Sequence, residues 1–406
     1  MEAIKQNMFC YRLAQLACRT VGAFAFRPKM LRNEIKGKKG PFVVIANHQA
    51  AYDFVNLIGA TAEPLTFVIS QSFYSTLPVK GILDKIGVIP KQQFQTSLRD
   101  INRMKATIEQ EKILVIYPAG LMCEDGVSTP IPAATNKFLK WMKADVYVAR
   151  TFGTYFAMPK WAKGMRPGRT YMDIYKLFSR EELEEADVET VKRITEEALS
   201  FNAYEEQEKL RVKYRGGSNV EGLENVLYAC PHCHTEFSVR AEKNTLCCTM
   251  CGYTEMADKY GFLHRTGAIG EEIRYPSDWA KQIFARLKND IANGKKPLLQ
   301  ADTAIHMIDH KKKKFVPAGE GSVSLTADGF TLSGQIRGEE VAFCIPITCF
   351  ASLPFCPGKH FEIQHGEEIY RCVLRDGRPV MKFINAVKAF YEQSLAKKEA
   401  RATADI

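Results

Sequence analysis

The sequence has no stretch of eighteen uncharged apolar residues, which excludes a bilayer-spanning helix from its expected elements. It also lacks the opening of an exported chain. The N-terminus shows neither an unbroken apolar core nor a small-residue cleavage site, so no cleavable signal peptide is expected. Internal repeats are missing, and Lys311 to Lys314 is the single low-complexity run. These absences decide how the twelve cysteines are read. Without an export signal the expected compartment is reducing and cytoplasmic, with thiols free or on metal rather than in disulfides.

What is present is an ordinary globular composition over 406 residues, enough for two or three domains. The net charge of +10 is unevenly spread. The first forty residues carry nine Lys/Arg against two Glu, whereas residues 181 to 209 are strongly acidic. A basic front suits an anionic membrane, a nucleic acid or an acidic carrier, or is a solvated face. Residues 3 to 26 predict an amphipathic helix. Ile4, Met8, Leu13, Leu16, Val21 and Phe24 recur at near-helical spacing, with Lys5, Arg12 and Arg19 as a basic stripe. Its apolar side either lies in a membrane interface or packs on the domain's own sheet.

Strand-like segments follow at 41–47, 65–70, 86–90, 112–117, 145–150 and 170–176, with helical patterns at 52–62, 97–110 and 133–143. That alternation predicts an α/β fold with a largely parallel sheet flanked by helices. A charged helical stretch from 179 to 213 and the linker Arg215, Gly216, Gly217, Ser218 end this part. A helix is expected at 277–292, capped by Ser277 or Asp278. Strand and turn signals run from there to about 375, and a helix over 379–397 closes the chain.

Chemistry gathers where the first buried strand ends. Asn47 and His48 follow the strand, and Asp53 lies five residues beyond His48. An imidazole beside a carboxylate at a strand end is suited to general-base work, because the carboxylate fixes the tautomer and stabilises the imidazolium. Five residues of ideal helix would turn the chain by about 500° and leave the two side chains about 140° apart. They meet only if part of the segment is a loop or a distorted first turn. The plainer reading is an Asn/His turn before a helix starting near Tyr52.

Three further stretches lie in order behind it: Gly87, Val88, Ile89, Pro90 and Lys91; Ile113 through Tyr117, Pro118, Ala119 and Gly120; and Val146 to Ala149, leading through Gly153 to Pro159, Lys160, Trp161 and Arg166 to Arg169. With Asn47, His48 and Asp53 this order resembles the glycerolipid acyltransferase family, whose best-known members are the 1-acylglycerol-3-phosphate acyltransferases. The resemblance covers roughly residues 1 to 178. It implies that His48 deprotonates an acceptor hydroxyl that attacks an acyl thioester, and that Asp53 orients His48. It implies acyl-CoA or an acyl carrier protein as donor and a lysophospholipid or related lipid as acceptor. Asn47, Lys91, Pro118 and Gly120 fall at substrate-binding positions, with Lys91 where Arg is usual.

The third block departs from the pattern. Where the family reads Phe-Pro-Glu-Gly-Thr-Arg, this chain reads Tyr117, Pro118, Ala119, Gly120, Leu121, Met122. Both polar contacts to the acceptor are gone, and Glu124 and Asp125 follow. Two other readings stand beside lysophosphatidate acylation: acylation of a different acceptor, and a non-catalytic lipid-binding adaptor.

Cys230 and Cys233, then Cys248 and Cys251, form two Cys-x2-Cys knuckles separated by fourteen residues. Two matched knuckles predict a zinc ribbon with four thiolate ligands, a closed and therefore structural Zn2+ site. Cys247 is a spare thiol, and His232 and His234 are rival ligands that the set does not need. Nucleic-acid binding by the ribbon is disfavoured, because only Arg240 and Lys243 are basic between the knuckles and stacking aromatics are few. The expected division is 1–215, an acyltransferase domain with its amphipathic helix; 226–256, the zinc ribbon; 257–296, a helical connector; and 297–397, a β-rich domain. The element order of the last weakly resembles a pleckstrin-homology-like domain, with Lys311 to Lys314 either near anionic headgroups or in a solvated turn. The whole protein is expected to be cytoplasmic and peripherally associated with the membrane.

Overall fold

The computed structural model describes residues 4–76, 80–93, 97–295, 297 and 299–404. Residue 3, where the first helix is expected to start, and residues 296 and 298, at the expected start of the C-terminal domain, lie outside the described residues. The chain divides into two compact units. One comprises Met1–Lys160, Gly164–Gly217 and Lys259–Gly261; the other comprises Trp161–Lys163, Ser218–Asp258 and Phe262–Ile406.

The first unit is a helix-flanked, largely parallel sheet. Its strands are β1 (Lys29–Asn33), β2 (Phe42–Ala46), β3 (Leu65–Ser70), β4 (Ile89–Lys91), β5 (Ile113–Ile116), β6 (Asp145–Phe152) and β7 (Tyr171–Phe178), in the order β1-β7-β6-β2-β5-β3-β4. β2 to β6 run parallel, β7 pairs antiparallel with β6, and β1 runs parallel to β7. Central strands buried on both faces read as unbroken apolar runs, and β2 is buried at all five positions. Its alternate residues feed two cores. Val43 and Ile45 pack with Leu114, Val146, Met104 and Leu139 on one side. Phe42, Val44 and Ala46 pack with Val115, Tyr147, Tyr11 and Leu57 on the other.

The helices are α1 (Met8–Ala25), α2 (Asp53–Ile58), α3 (Gln71–Thr76), α4 (Lys80–Ile86), α5 (Leu98–Glu109), α6 (Ala134–Met142), α7 (Thr154–Ala157), α8 (Arg180–Glu185), α9 (Val188–Leu199) and α10 (Ala203–Leu210). Several differ from expectation. The strand expected at 86–90 is the end of α4 followed by a three-residue strand. β1 forms within the basic segment, paired along the β7 edge, where pattern alone showed only charge. The charged stretch is three helices because each start carries its own cap. Ser179 accepts from Glu182 N, Asp187 from Thr190 N, and Asn202 from Tyr204 N.

Of the two orientations open to α1, the large apolar side chains from Met8 to Phe24 take the outward one. Tyr11, Gln15, Gly22 and Ala25 are buried. Tyr11 Oη accepts from Leu65 N at 2.8 Å, and Gln15 Nε2 donates to the carbonyls of Ile58 (2.9 Å) and Thr61 (2.7 Å). Met8, Leu13, Leu16, Val21 and Phe24 are exposed, together with Phe9, whereas Ile4 is buried in the core. Polar anchors thus seat the helix while its large apolar side chains face outward.

In the second unit four antiparallel strands stand in the order β11-β10-β9-β8: β8 (Val239–Glu242), β9 (Thr245–Cys248), β10 (Thr254–Ala257) and β11 (Leu263–Arg265). α11 (Pro276–Ala292) follows. Its N-cap is Tyr275 and no side chain caps it, so neither Ser277 nor Asp278 takes the expected role. Seven antiparallel strands then stand in the order β15-β14-β13-β12-β18-β17-β16: β12 (Gln300–Asp309), β13 (Lys314–Leu325), β14 (Gly329–Ile336), β15 (Glu339–Pro346), β16 (Phe355–Cys356), β17 (His360–His365) and β18 (Glu368–Leu374). The terminal helix α12 (Val380–Ala404) buries Val380, Phe383, Ile384, Val387 and Phe390.

Candidate active site and candidate metal centre

His48 sits at the carboxyl end of β2, where ligands of open α/β sheets collect. Residues 47 to 52 form a loop, and Asp53 opens α2. The loop folds around the carboxylate, which is fully buried. Asp53 Oδ2 accepts from Gln49 N at 2.8 Å and Ala50 N at 3.0 Å, and stands 2.9 Å from His48 Nδ1. The chain therefore brings together two side chains that an unbroken helix would hold apart. With Nδ1 against the carboxylate, Nε2 is the nitrogen left to exchange a proton with a ligand.

Neighbouring strands fix this loop. Asn47 Nδ2 donates to Thr151 O (2.9 Å) and Thr151 N donates to Asn47 Oδ1 (2.7 Å), so the amide is committed to β6. From the β5 side, Cys123 N donates to His48 O at 3.1 Å. The Tyr117 ring lies against the imidazole, with centroids 4.5 Å apart at 35°. Burial, and then the Asp53 charge, hold the Tyr117 hydroxyl well above its usual pKa.

Behind the loop, Gln49 is fully buried. Its Nε2 donates to Glu206 Oε2 at 3.1 Å, and its Oε1 accepts from Thr154 Oγ1 and Tyr155 N. Burial pushes the Glu206 carboxyl up to about 7, although the Arg150 guanidinium stands 3.7 Å away. Sequence reasoning missed Gln49, Tyr117, Cys123 and Glu206 as parts of the site. Gln49 stood inside the motif, but its partners come from strand ends and a helix far along the chain.

A cleft of about 350 Å3 opens on His48. It is lined by Ala46, Asn47, His48 and Ala119, and by residues 128–131, 196 and 199–201. Lys91, Pro118 and Gly120 are not among its lining residues. Lys91 is on the edge strand β4, three strands from β2, which is about 14 Å at ordinary strand spacing. Lys91 Nζ donates to Gln92 O, and burial lowers its pKa. Gly120 takes φ +68°, a left-handed turn that favours glycine.

In the second unit the four sulfurs of Cys230, Cys233, Cys248 and Cys251 lie within 4.8 Å of one another. A tetrahedral ion about 2.3 Å from each thiolate requires sulfurs about 3.8 Å apart. The pairs Cys230–Cys251 and Cys233–Cys248 are each at 3.7 Å. The knuckles are built alike. His234 N donates to Cys230 O and Gly252 N to Cys248 O, both at 3.0 Å, and the residue after each second cysteine is left-handed (φ +62° and +78°). Ser238 Oγ is 3.2 Å from Cys248 Sγ, and Thr235 Oγ1 is 3.3 Å from Cys233 Sγ. Neither Cys247 nor His232 nor His234 belongs to the cluster. The donor set fits a metal ion.

Residues 5–157 match the model of the family described as Acyltransferase. The matched span holds strands β1 to β6, the His48 loop and Asp53, and is the part of the chain whose motifs resemble that family. Among solved structures, the chain is similar to the crystal structure of the 1-acyl-sn-glycerophosphate (LPA) acyltransferase PlsC from Thermotoga maritima. The two share 16% identity over 50% of this chain and 81% of that one, with a TM-score of 0.41. No curated protein matches the sequence.

Proposed function

We propose that the protein transfers a fatty acyl group from an acyl thioester, acyl-CoA or acyl carrier protein, to a hydroxyl of a glycerolipid acceptor such as a lysophospholipid. In this reading His48 Nε2 takes the hydroxyl proton as the oxygen attacks the thioester carbonyl. The carbon–sulfur bond then breaks, and the departing thiolate receives the proton back from the imidazolium. Asp53 holds the tautomer and stabilises the imidazolium through Nδ1. The observation that carries the reading is the 2.9 Å His48–Asp53 contact at the edge of a cleft. The test is thiol release from acyl-CoA, dependent on an added lysolipid and abolished by His48→Ala. A non-catalytic adaptor would give no such release.

The outward apolar face of α1, flanked by Arg12 and Arg19, supports peripheral attachment to an anionic membrane. No helix among the described residues is long and apolar enough to cross a bilayer. The basic front would also steer an acidic acyl carrier. The four cysteines would hold Zn2+ as a structural cross-link, since four thiolates leave no open coordination position. The strands and helix beyond residue 297 are proposed as a separate, pleckstrin-homology-like domain.

A further inference from the structure

We infer that the acceptor presents an uncharged, hydroxyl-bearing head to His48 rather than a phosphate monoester. The inference rests on the acyl-transfer reading above. Among the described residues, neither lysine nor arginine lines the cleft on His48. Besides Asn47 and His48, its polar lining residues are Ser128, Thr129 and Ser200, and its acidic one is Glu196. Ile131, Leu199 and Phe201 supply an apolar wall.

Arg150, in the adjoining strand β6, is not among the lining residues, and its Nη2 is turned to other partners while its Nε is buried without a hydrogen bond among the described residues. Its Nη2 donates to Ser200 O at 2.9 Å and stands 3.7 Å from Glu206. Carboxylates also lie near the Cys123 side of the loop. After burial, the groups that raise the Cys123 thiol pKa are Asp125, Glu124 and Asp53, and the Cys123 amide is bonded to His48 O. Ala119 lines the cleft where the resembling family places a glutamate.

A phosphate monoester entering here would leave water for a site whose lining, among the described residues, holds no lysine or arginine and includes Glu196. An alcohol meets hydroxyls able both to donate and to accept, beside an apolar surface for its chain. The cleft, at the small end of ligand pockets, has room for a glycerol end and the start of an acyl chain.

The test uses the full-length protein, one acyl-CoA, and two acceptors of identical chain in the same mixed micelles: a monoacylglycerol and a 1-acylglycerol-3-phosphate. Thiol release is followed for wild type and for Glu196→Lys, a change on the exposed side of α9. The expected result is kcat/KM about tenfold or more higher for the monoacylglycerol, the scale of one missing charge-assisted contact. Glu196→Lys should narrow that ratio several-fold by raising the phosphate acceptor's rate. Equal or faster turnover of the phosphate acceptor by wild type overturns the inference and leaves acyl transfer standing. So does a ratio that Glu196→Lys leaves unmoved. Release with neither acceptor overturns this inference, and its absence across a wider panel of lysolipids removes the acyl-transfer reading as well.

Discussion

The two candidate centres are built by opposite strategies. In the cysteine cluster each half is a five-residue turn that makes its own hydrogen bond and its own left-handed residue, so spacing nearly writes the geometry. The His48 loop has no such autonomy. Its carboxylate is held by two amides of the loop, its flanks by Thr151 and Cys123, and its rear by a glutamine bonded to α10. One centre is a local device duplicated; the other exists only when the whole sheet has assembled. A cross-link made of repeated turns tolerates change elsewhere, while a site assembled from distant strands does not.

Removing metal should break the comparison most sharply. Chelation is expected to cost the second unit several kcal/mol of stability and its separate unfolding transition, since metal affinity there is folding free energy. Metal analysis should give one Zn2+ per chain, lost in Cys248→Ser, while thiol release persists. Turnover that vanished on chelation with both units still folded would overturn the structural role. Next in size, His48→Ala should lower acceptor-dependent thiol release by about 10³-fold without moving the unfolding midpoint.

Asp53→Asn follows. The amide oxygen can still accept from the loop, but the imidazolium loses its counter-charge, and kcat should fall about 10²-fold while KM changes little. Equal losses in kcat for Asp53→Asn and His48→Ala would mean that the carboxylate does more than orient. The smallest effect concerns Glu206. Its folded pKa of about 7 lies above the ordinary carboxyl value of 4.5. The folded state therefore holds the proton longer, and this group's contribution to stability is fully present below pH 4.5 and declines as pH rises towards 7. Glu206→Gln should flatten that slope and stabilise the first unit above pH 7 by about 1–2 kcal/mol, read from denaturant melts across pH.

The alternation of strand and helix was legible because central parallel strands bury both faces, as β2 and β5 do. β1 was hidden: its five residues carry two cations and pair along an edge, so nothing in their pattern marks them as strand. The breaks in the acidic stretch could have been read from Asp187 and Asn202, residues that favour helix starts. The direction of α1 could not. Its buried side contains a glutamine whose partners, the carbonyls of Ile58 and Thr61, are visible only once α2 has formed. At the site, sequence supplied the pair His48 and Asp53 but not their meeting, which depends on two loop amides. The metal cluster was the most legible feature because its chemistry is carried in spacing.

The pair of hydrogen bonds between Asn47 and Thr151 has a thermodynamic corollary. The imidazole is mounted on the sheet rather than on a flap, so its orientation is settled when the chain folds and not when a lipid arrives. If His48 acts as the base, a ligand entering the cleft would align itself to a nitrogen whose neighbour is tied to β6, and rate differences between ligands should report their fit to that point.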